Sequence, residues 1–264
     1  MTYGFIGTGN MGGALATAVA KHGDRIFLAN RTRGKAETLA AKIGGKVTDN
    51  AAIAQSCDYI FLGVKPQMMA ETLKPLQQVF SGRSDPFVLV SMAAGLTISA
   101  IQKMAGGNYP VIRIMPNTAC AAGAGMTLYC YSENLEMKRL LGFLEAMSLS
   151  GELEELPEDL IDAGSAVAGC GGAFACLFME GLADGGVAIG LPREKALRFA
   201  AQTLLGTGVL AQNTGLHPGQ MKDAICSPGG TTIAGVHALE NKGFRGAAMD
   251  AVIAAYDRTQ ELKK

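Results

Sequence analysis

Two glycine-rich segments of this 264-residue chain have residue types and spacing suited to binding phosphates or carboxylates. The first is Gly7-Thr8-Gly9-Asn10-Met11-Gly12, which follows a short apolar run and precedes a helical pattern. That context predicts a dinucleotide-binding loop. Its first glycine permits the turn, its second admits a pyrophosphate, and its third packs helix on strand, while the helix N-terminus supplies N–H groups for the phosphates. A purely structural glycine turn is the alternative.

The second segment is Ser227-Pro228-Gly229-Gly230-Thr231-Thr232, which stands before an apolar run with helical spacing. A proline turn followed by small polar residues predicts a helix N-terminus. Two adjacent glycines leave the neighbouring backbone N–H groups sterically open, which suits a carboxylate ligand. An ordinary capped helix explains this segment equally well.

The end of the second predicted strand bears on the choice of dinucleotide. An NAD site usually carries Asp or Glu there to bind the ribose 2′-hydroxyl, whereas this chain has Asn30-Arg31-Thr32-Arg33. Arg31 can pair bidentately with a 2′-phosphate, which a carboxylate would repel. The sequence therefore favours NADPH, with NADH as the other possibility. In the alternative interpretation, Arg31 and Arg33 only begin a solvated helix.

Two more segments follow apolar strands and are expected at the carboxyl edge of a sheet. They are Gly63-Val64-Lys65-Pro66 and Ser91-Met92-Ala93-Ala94-Gly95. Turns at this edge line the ligand crevice of an open α/β sheet. The small residues of the second turn would leave room for a nicotinamide ring. Lys65 is either a cofactor contact or a solvated loop lysine.

The elements that must position these residues divide the chain into two halves. Strands are predicted over 3–6, 25–29, 59–64, 87–92 and 111–114, with helices over 11–20, 35–43, 68–79 and 98–104 between them. This alternation predicts a doubly wound parallel sheet of Rossmann type. Edge strands over 126–129 and 153–156 flank a helix over 135–147. Further helices are predicted over 159–189, 193–212, 232–240 and 244–262, so we place an α/β domain at 1–157 and a helical domain at 158–264.

Composition narrows the classes of partner. The 23 Lys and Arg balance 23 Asp and Glu, which argues against nucleic acid. Apolar residues make up 48% of the chain, enough for a large core and suggestive of obligate oligomerisation. The uncharged stretch 163–179 is rich in small residues, which favours helix packing over a membrane span. The N-terminus lacks a signal-peptide pattern, so a soluble, cytoplasmic protein is expected.

The cysteines and histidines do not predict a metal site. Six cysteines show no CxxC pair, and the three histidines are far apart in the sequence. Each histidine is expected at the surface or in a loop rather than as a ligand or a base.

The chain resembles pyrroline-5-carboxylate reductases over essentially its whole length. The resemblance is carried by the loop at 7–12, Val64-Lys65-Pro66, Met115-Pro116-Asn117, Ala183-Asp184-Gly185-Gly186-Val187 with Gly190-Leu191-Pro192, and above all residues 227–240. It implies a Rossmann domain, a helical domain that interlocks two subunits, and dimers that often assemble into decamers. The chain departs from the family at Ala168-Gly169-Cys170-Gly171-Gly172, where Ser-Gly-Ser-Gly-Pro is usual.

The resemblance also implies site residues. Substrate contacts are expected at Glu158, Ser227, Gly229, Gly230, Thr231 and Thr232. Cofactor contacts are expected at Ile6, Gly7, Thr8, Gly9, Asn10, Met11, Asn30, Arg31, Asn50, Gly63, Val64, Lys65, Pro66, Met92, Ala93 and Ala94, to which the motifs above add Gly12 and Thr32.

The expected reaction is hydride transfer from NADPH to the C=N bond of L-1-pyrroline-5-carboxylate, giving L-proline. Thr232 is the candidate for hydrogen-bonding the imine nitrogen; the alternative is that it only caps the helix. A β-hydroxyacid dehydrogenase is a second reading, but it commonly needs a lysine that residues 159–189 lack. A third is a non-catalytic NADP-sensing protein.

Overall fold

The computed structural model describes residues 1–262, and the chain forms two compact units. The first comprises Met1–Cys170 and the chain from Ala255 onward, and the second comprises Gly171–Ala254. The first unit extends past residue 157 because Ile161 packs against Leu128 and Cys130 of the sheet. The domain boundary at residue 157 stays a prediction.

An eight-stranded sheet organises the first unit. Its strands are β1 (Thr2–Ile6), β2 (Arg25–Ala29), β3 (Lys46–Val47), β4 (Tyr59–Leu62), β5 (Val88–Ser91), β6 (Val111–Pro116), β7 (Gly125–Tyr131) and β8 (Gly151–Glu155). They lie in the order β3-β2-β1-β4-β5-β6-β7-β8, and the first six are parallel. This order reverses direction between β1 and β4, which is where an open α/β sheet binds a dinucleotide.

Buried apolar side chains fill both faces of the central strands. On one face Tyr3 stacks on Tyr59 and Phe5 on Phe61, with ring centroids 5.2 and 4.4 Å apart. Each pair consists of register partners on β1 and β4, so the aromatic contacts fix the alignment of the two strands that flank the ligand crevice. The apolar runs recognised in the sequence are therefore strands covered on both sides.

Eight helices accompany this sheet within the described residues. They are α1 (Asn10–Ala20), α2 (Arg33–Ile43), α3 (Asn50–Ser56), α4 (Met69–Leu73), α5 (Gln77–Ser81), α6 (Ile98–Ala105), α7 (Met137–Met147) and α8 (Ile161–Ala168). Single 3-10 turns occupy Pro66–Met68, Lys74–Leu76, Thr118–Ala122, Ser148–Ser150 and Glu158–Leu160.

Five further helices are α9 (Gly171–Ala188), α10 (Arg193–Thr214), α11 (Pro218–Ile225), α12 (Thr231–Asn241) and α13 (Phe244–Glu261). In the second unit α9 and α10 pack through small side chains, with Ala183, Ala196 and Ala200 buried. Many large apolar side chains remain exposed there, which is the expected surface of an oligomer. They include Leu177, Leu205, Leu210, Met249 and Ile253.

Several predicted elements were wrong in detail. The helix predicted over 68–79 is divided into α4 and α5 by a 3-10 turn, because Pro75 cannot donate a backbone hydrogen bond. The helix predicted over 159–189 breaks at Gly169 and Cys170 into α8 and α9. The strand predicted at the edge over 126–129 is β7, which lies inside the sheet between β6 and β8. It is antiparallel to β6, since the connection at 117–124 is too short for a parallel crossover. Elements β3, α3 and α11 were not predicted.

One segment of the described chain, Glu158–Ala188, is long and apolar enough to cross a membrane by length and composition alone. The break between α8 and α9 interrupts it.

Candidate functional site

The glycine loop at 7–12 folds as the motif predicts, and two of its glycines are required by close backbone contacts. Gly7 has φ +98°, a conformation that L side chains rarely adopt. A Cβ atom on Gly12 would lie 2.2 Å from the Gly7 carbonyl oxygen, and one on Gly63 would lie 2.4 Å from the same oxygen. At these three glycines the backbones of β1, α1 and the end of β4 therefore touch one another directly.

The middle glycine of the loop is different because the space beside it is open. A Cβ atom on Gly9 would meet nothing within 4 Å. Gly9 is also the N-cap of α1, and no side chain caps that helix. The first N–H groups of α1 therefore face an open space, which is the arrangement that binds a phosphate.

Thr8 supplies an additional polar group at this loop. Its hydroxyl is buried and has no hydrogen-bond partner within the described chain, while its backbone N–H donates to Asn30 Oδ1 at 3.1 Å. A buried hydroxyl without a partner is costly unless a ligand or water satisfies it. The loop thus fits a bound phosphate group.

Asn30 occupies the position where an NAD site carries its carboxylate, and its amide is used inside the protein. Besides accepting from Thr8, it donates through Nδ2 to the Thr32 carbonyl oxygen at 3.0 Å. Asn30 therefore ties the glycine loop to the start of α2. The residues that follow Asn30 are therefore the candidates for contact with a ribose 2′-substituent.

The start of α2 presents an exposed cationic corner. Thr32 is the N-cap of α2, but its hydroxyl makes no capping hydrogen bond. Arg31 and Arg33 are both exposed, and Arg33 Nε donates to Glu37 Oε1 at 2.9 Å. Because Glu37 partly neutralises Arg33, Arg31 is the better candidate for a 2′-phosphate.

A cavity of about 510 Å³ joins this corner to the start of α3. Its lining includes the predicted Asn30, Arg31 and Asn50. Sequence reasoning did not assign its other members to a site: those at 47–51 because β3 and α3 were not predicted, and the rest because they come from separate elements that meet only in the fold. They are Ala29, Arg33, Val47, Thr48, Asp49, Ala51, Pro75 and Leu76.

The remaining cofactor candidates lie at the carboxyl ends of β4 and β5. Residues 63–66 lead from β4 into a 3-10 turn that has Lys65 as its N-cap, and Lys65 is exposed. Residues 92–94 follow β5, where Ala93 is buried and Ala94 is exposed. Parallel pairing of β1, β2, β4 and β5 thus brings every predicted cofactor segment to one edge of the sheet.

Glu158 lies in the first unit, apart in the sequence from the other substrate candidates. Its Oε1 accepts from Ile98 N at 2.7 Å and lies 3.4 Å from Arg113 Nη1. Arg113 is buried, and its Nη2 donates to the buried Asp162 Oδ1 at 2.6 Å. Sequence reasoning missed Arg113 and Asp162, which carry no recognisable motif.

The five remaining substrate candidates form a loop and helix start in the second unit. Gly229 has φ +66°, and Gly230 N donates to the Ser227 carbonyl oxygen at 3.0 Å. Gly230 is the N-cap of α12, and no side chain caps this helix. The predicted helix start is therefore confirmed, whereas the alternative that Thr232 acts as its cap is wrong.

The open start of α12 exposes both Thr231 and Thr232. These residues occupy the first two helical positions, whose N–H groups have no intrahelical partner. The geometry suits a carboxylate held by backbone N–H groups, with a threonine hydroxyl beside it.

Within residues 1–262 no group of three or more His, Cys, Asp or Glu side chains is arranged to hold a metal ion. Burial raises the pKa of the Cys57 thiol to about 11 and that of Cys130 to about 12. These two thiols are therefore protonated at neutral pH and are poor nucleophiles.

Comparisons with known proteins agree with this architecture. A family model described as pyrroline-5-carboxylate reductase dimerisation matches residues 158–262, and one described as NADP oxidoreductase coenzyme F420-dependent matches residues 2–95. The pyrroline-5-carboxylate reductase of Methanosarcina acetivorans is 38% identical over 266 residues, covering 99% of this chain and 97% of the relative.

Two further proteins extend the agreement. The pyrroline-5-carboxylate reductase of Escherichia coli is 35% identical, covering 99% of this chain and 98% of its own. The crystal structure of Plasmodium falciparum pyrroline carboxylate reductase with NADP bound superposes with a TM-score of 0.89 at 30% identity, covering 100% of this chain and 98% of that one. The chain therefore belongs to the pyrroline-5-carboxylate reductase family.

Proposed function

We propose that this chain reduces the C=N bond of L-1-pyrroline-5-carboxylate to give L-proline, the last step of proline biosynthesis, with NADPH as its cofactor. The observation that carries this proposal is the full-length match to reductases of that name, 38% identical over 99% of the chain. The Plasmodium falciparum structure, solved with NADP bound, supports the choice of cofactor. The open glycine loop and the cationic corner at Arg31 support it independently.

The residues at the edge of the sheet have distinct tasks in this proposal. NADPH supplies a hydride to the imine carbon when it is bound. Gly9 and the start of α1 admit the pyrophosphate, and the Thr8 hydroxyl gains the partner that it lacks among residues 1–262. Arg31 pairs with the 2′-phosphate, and the small residues after β5 make room for the nicotinamide ring.

The start of α12 holds the substrate. The N–H groups of Gly229 and Thr231, on either side of the Gly230 N–H that donates to Ser227, bind its carboxylate, and the Thr232 hydroxyl hydrogen-bonds its nitrogen. The imine binds already protonated or takes its proton from water, because a protonated imine accepts hydride readily and no acid stands out among the candidates. Catalysis then consists chiefly of holding two reactants in position. Ser227 and Glu158 remain proposed substrate contacts.

The dimerisation model over residues 158–262 indicates an oligomer. We infer a homodimer, with a decamer of such dimers as the larger assembly that the family resemblance implies. We also infer a soluble protein that acts in the cytoplasm on a small molecule, with neither nucleic acid nor membrane as a partner.

The direct test is consumption of NADPH, and separately of NADH, by the purified protein with L-1-pyrroline-5-carboxylate. Formation of proline is the expected result. A folded protein that binds NADPH without forming proline would overturn the proposal.

Cofactor preference is tested by the pair Arg31→Ala and Arg33→Ala. We expect Arg31→Ala to weaken NADPH binding by about tenfold or more, the effect of losing one charge-assisted contact, and to leave NADH nearly unchanged. Arg33→Ala is the matched control, because Glu37 already pairs with that guanidinium. If Arg31→Ala weakened the binding of NADPH and NADH equally, Arg31 would not be the residue that binds the 2′-phosphate.

The role of Thr232 is tested by Thr232→Ala. The helix cap is Gly230, so this change should leave the melting temperature almost unaltered. Loss of a hydrogen bond to a charged nitrogen should lower kcat by about 10- to 100-fold. Thr232→Ser should keep most of the activity, and unchanged turnover in Thr232→Ala would exclude the assigned role.

A further inference from the structure

The Glu158 carboxylate joins two segments that lie 60 residues apart in the sequence. Its Oε1 accepts the N–H of Ile98, the first residue of α6, at 2.7 Å, and also lies 3.4 Å from Arg113 Nη1. A carboxylate at a helix N-terminus satisfies an otherwise unpaired donor and interacts favourably with the helix dipole. Glu158 thus caps α6 from outside the helix.

Arg113 fixes the position of this carboxylate. Its guanidinium is buried on β6 and lies between two carboxylates, at 2.6 Å from Asp162 Oδ1 and 3.4 Å from Glu158 Oε1. Asp162 is equally buried, whereas Glu158 is about one-third exposed. Asp162 is therefore the closer counter-ion of Arg113, and Glu158 makes its shorter contact with α6.

The helix capped by Glu158 carries the loop proposed for the nicotinamide. This loop begins after Ser91, the last residue of β5, and ends where α6 begins at Ile98. Its first end is held by the pairing of β5 with β4 and β6. Its second end is held by two caps on α6, from Glu158 and from Thr97, whose Oγ1 accepts from Ala100 N at 3.1 Å.

The two ends leave a short turn between them. Ala93 is buried, Ala94 is exposed, and Gly95 has φ +75°. Because this turn has small side chains, its position depends on how firmly its ends are held. Loss of the Glu158 cap removes one of the two hydrogen bonds that hold the start of α6, while the β5 end stays paired.

We propose that Glu158 is a positioning residue for the nicotinamide end of the cofactor site, acting through α6 and the loop at 92–97. This proposal rests on the proposed NADPH-dependent function. It adds a second role to the substrate contact implied by family resemblance, because the carboxylate also holds the start of α6 and, through it, the cofactor loop.

The test compares two ligands that differ only in the nicotinamide. They are NADPH and 2′-phospho-ADP-ribose, and their affinities are measured for the wild type, Glu158→Ala and Glu158→Gln. We expect Glu158→Ala to weaken the binding of NADPH by about tenfold, equivalent to about 1.4 kcal/mol. The same change should alter the fluorescence emission of the bound nicotinamide. Binding of 2′-phospho-ADP-ribose should stay within about twofold.

Two variants separate the proposed role from a general loss of structure. Glu158→Gln keeps an oxygen that accepts from Ile98 N, so it should restore most of the NADPH affinity. Thr97→Ala removes the second cap on α6 and should produce the same nicotinamide-selective loss, even if Glu158→Ala fails to fold. Glu155→Ala, which removes a carboxylate from β8, is the control and should bind both ligands like the wild type.

Three outcomes would overturn the proposal. The first is equal weakening of the binding of both ligands by Glu158→Ala. The second is unchanged NADPH binding with only a raised KM for the imine, which would leave Glu158 as a substrate contact without a positioning role. The third is normal NADPH binding by Thr97→Ala. The binding of NADPH by the wild type is measured before any variant. If the wild type does not bind NADPH, the proposed function itself is refuted.

Discussion

Gly9 and Gly12 belong to one motif, yet the structure predicts opposite effects when each is replaced by alanine. A Cβ atom at position 12 would lie 2.2 Å from the Gly7 carbonyl oxygen. That oxygen belongs to backbone held on both sides, since Gly7 N donates to the Ala29 carbonyl oxygen and Gly63 N to that of Ile6, each at 2.8 Å. Gly12→Ala therefore requires α1 or the loop to shift.

The size of the effect follows from this overlap. Overpacking costs about 1–3 kcal/mol in most cores, and a clash with backbone falls at the upper end, about 3 kcal/mol. A domain of this size loses about 2–4 °C in melting temperature per kcal/mol. We therefore expect Gly12→Ala to lower Tm by about 6–12 °C.

Gly9→Ala is the matched control for stability. Gly9 has φ −69°, which alanine adopts readily, and its Cβ atom would meet nothing within 4 Å. Restricting the unfolded chain stabilises by about 0.4–1 kcal/mol, but alanine is a poorer helix N-cap than glycine by roughly 0.5–1 kcal/mol. The two effects nearly offset each other, so the stability should change little. The same methyl group would occupy the space proposed for the pyrophosphate, so NADPH affinity should fall by about tenfold or more.

Thermal unfolding without cofactor and NADPH titration of both variants provide the assay. The reasoning predicts an unstable Gly12→Ala and a stable Gly9→Ala that binds NADPH poorly. It is refuted if Gly9→Ala loses as much stability as Gly12→Ala, or if it binds NADPH as tightly as the wild type.

Four further predictions concern the core, the buried thiols and the helical surface. Arg113→Met removes the guanidinium 2.6 Å from buried Asp162 and should cost about 3–5 kcal/mol in urea unfolding; a loss below about 1 kcal/mol would contradict the buried pair. Cys57 and Cys130, with pKa values raised to about 11 and about 12, should resist alkylation by iodoacetamide in the folded protein at about pH 9, whereas the unfolded thiols, with ordinary pKa values of about 8.5, should react. Between about pH 8.5 and pH 11 the thiols ionise in the unfolded chain but stay protonated in the folded one. The stability that Cys57 and Cys130 contribute should therefore be lost as the pH rises through this range, which urea unfolding would measure. Met249→Glu places a charge on the exposed apolar surface of α13 and should shift sedimentation towards monomers, and an unchanged assembly would exclude that surface from the interface.

The strand, glycine turn and helix at the start of the chain were predicted well because their sequence signals are local. A strand, a glycine turn and a helix follow one another at 2–20, and the register partners Tyr3 and Tyr59 both lie in apolar runs. Residue periodicity carries no information on strand direction, so the antiparallel β7 was not foreseen. The short element α3 was also missed, although its cap, Asp49 accepting from Ala52 N at 2.7 Å, was readable from the sequence.

Contacts between residues that lie far apart in the sequence could not be predicted from the sequence. Nothing near Glu158 in the sequence indicates that it accepts from Ile98 N, and nothing near Arg113 indicates a partner at Asp162. Such contacts arise only after the sheet has placed β6, α6 and α8 together. Sequence reasoning identified Glu158 through family resemblance, but the structure supplied its neighbours.

The final strand, β8, bears on how copies of this chain meet. It stands at the end of the strand order and reads Gly-Glu-Leu-Glu-Glu, with Glu152, Glu154 and Glu155 exposed. An outer strand of a sheet can pair with the same strand of another molecule and start aggregation. Two such edges would bring rows of carboxylates face to face, and their repulsion opposes that pairing. The acidic edge thus discourages sheet-to-sheet growth at neutral pH and leaves assembly to the apolar helical surface.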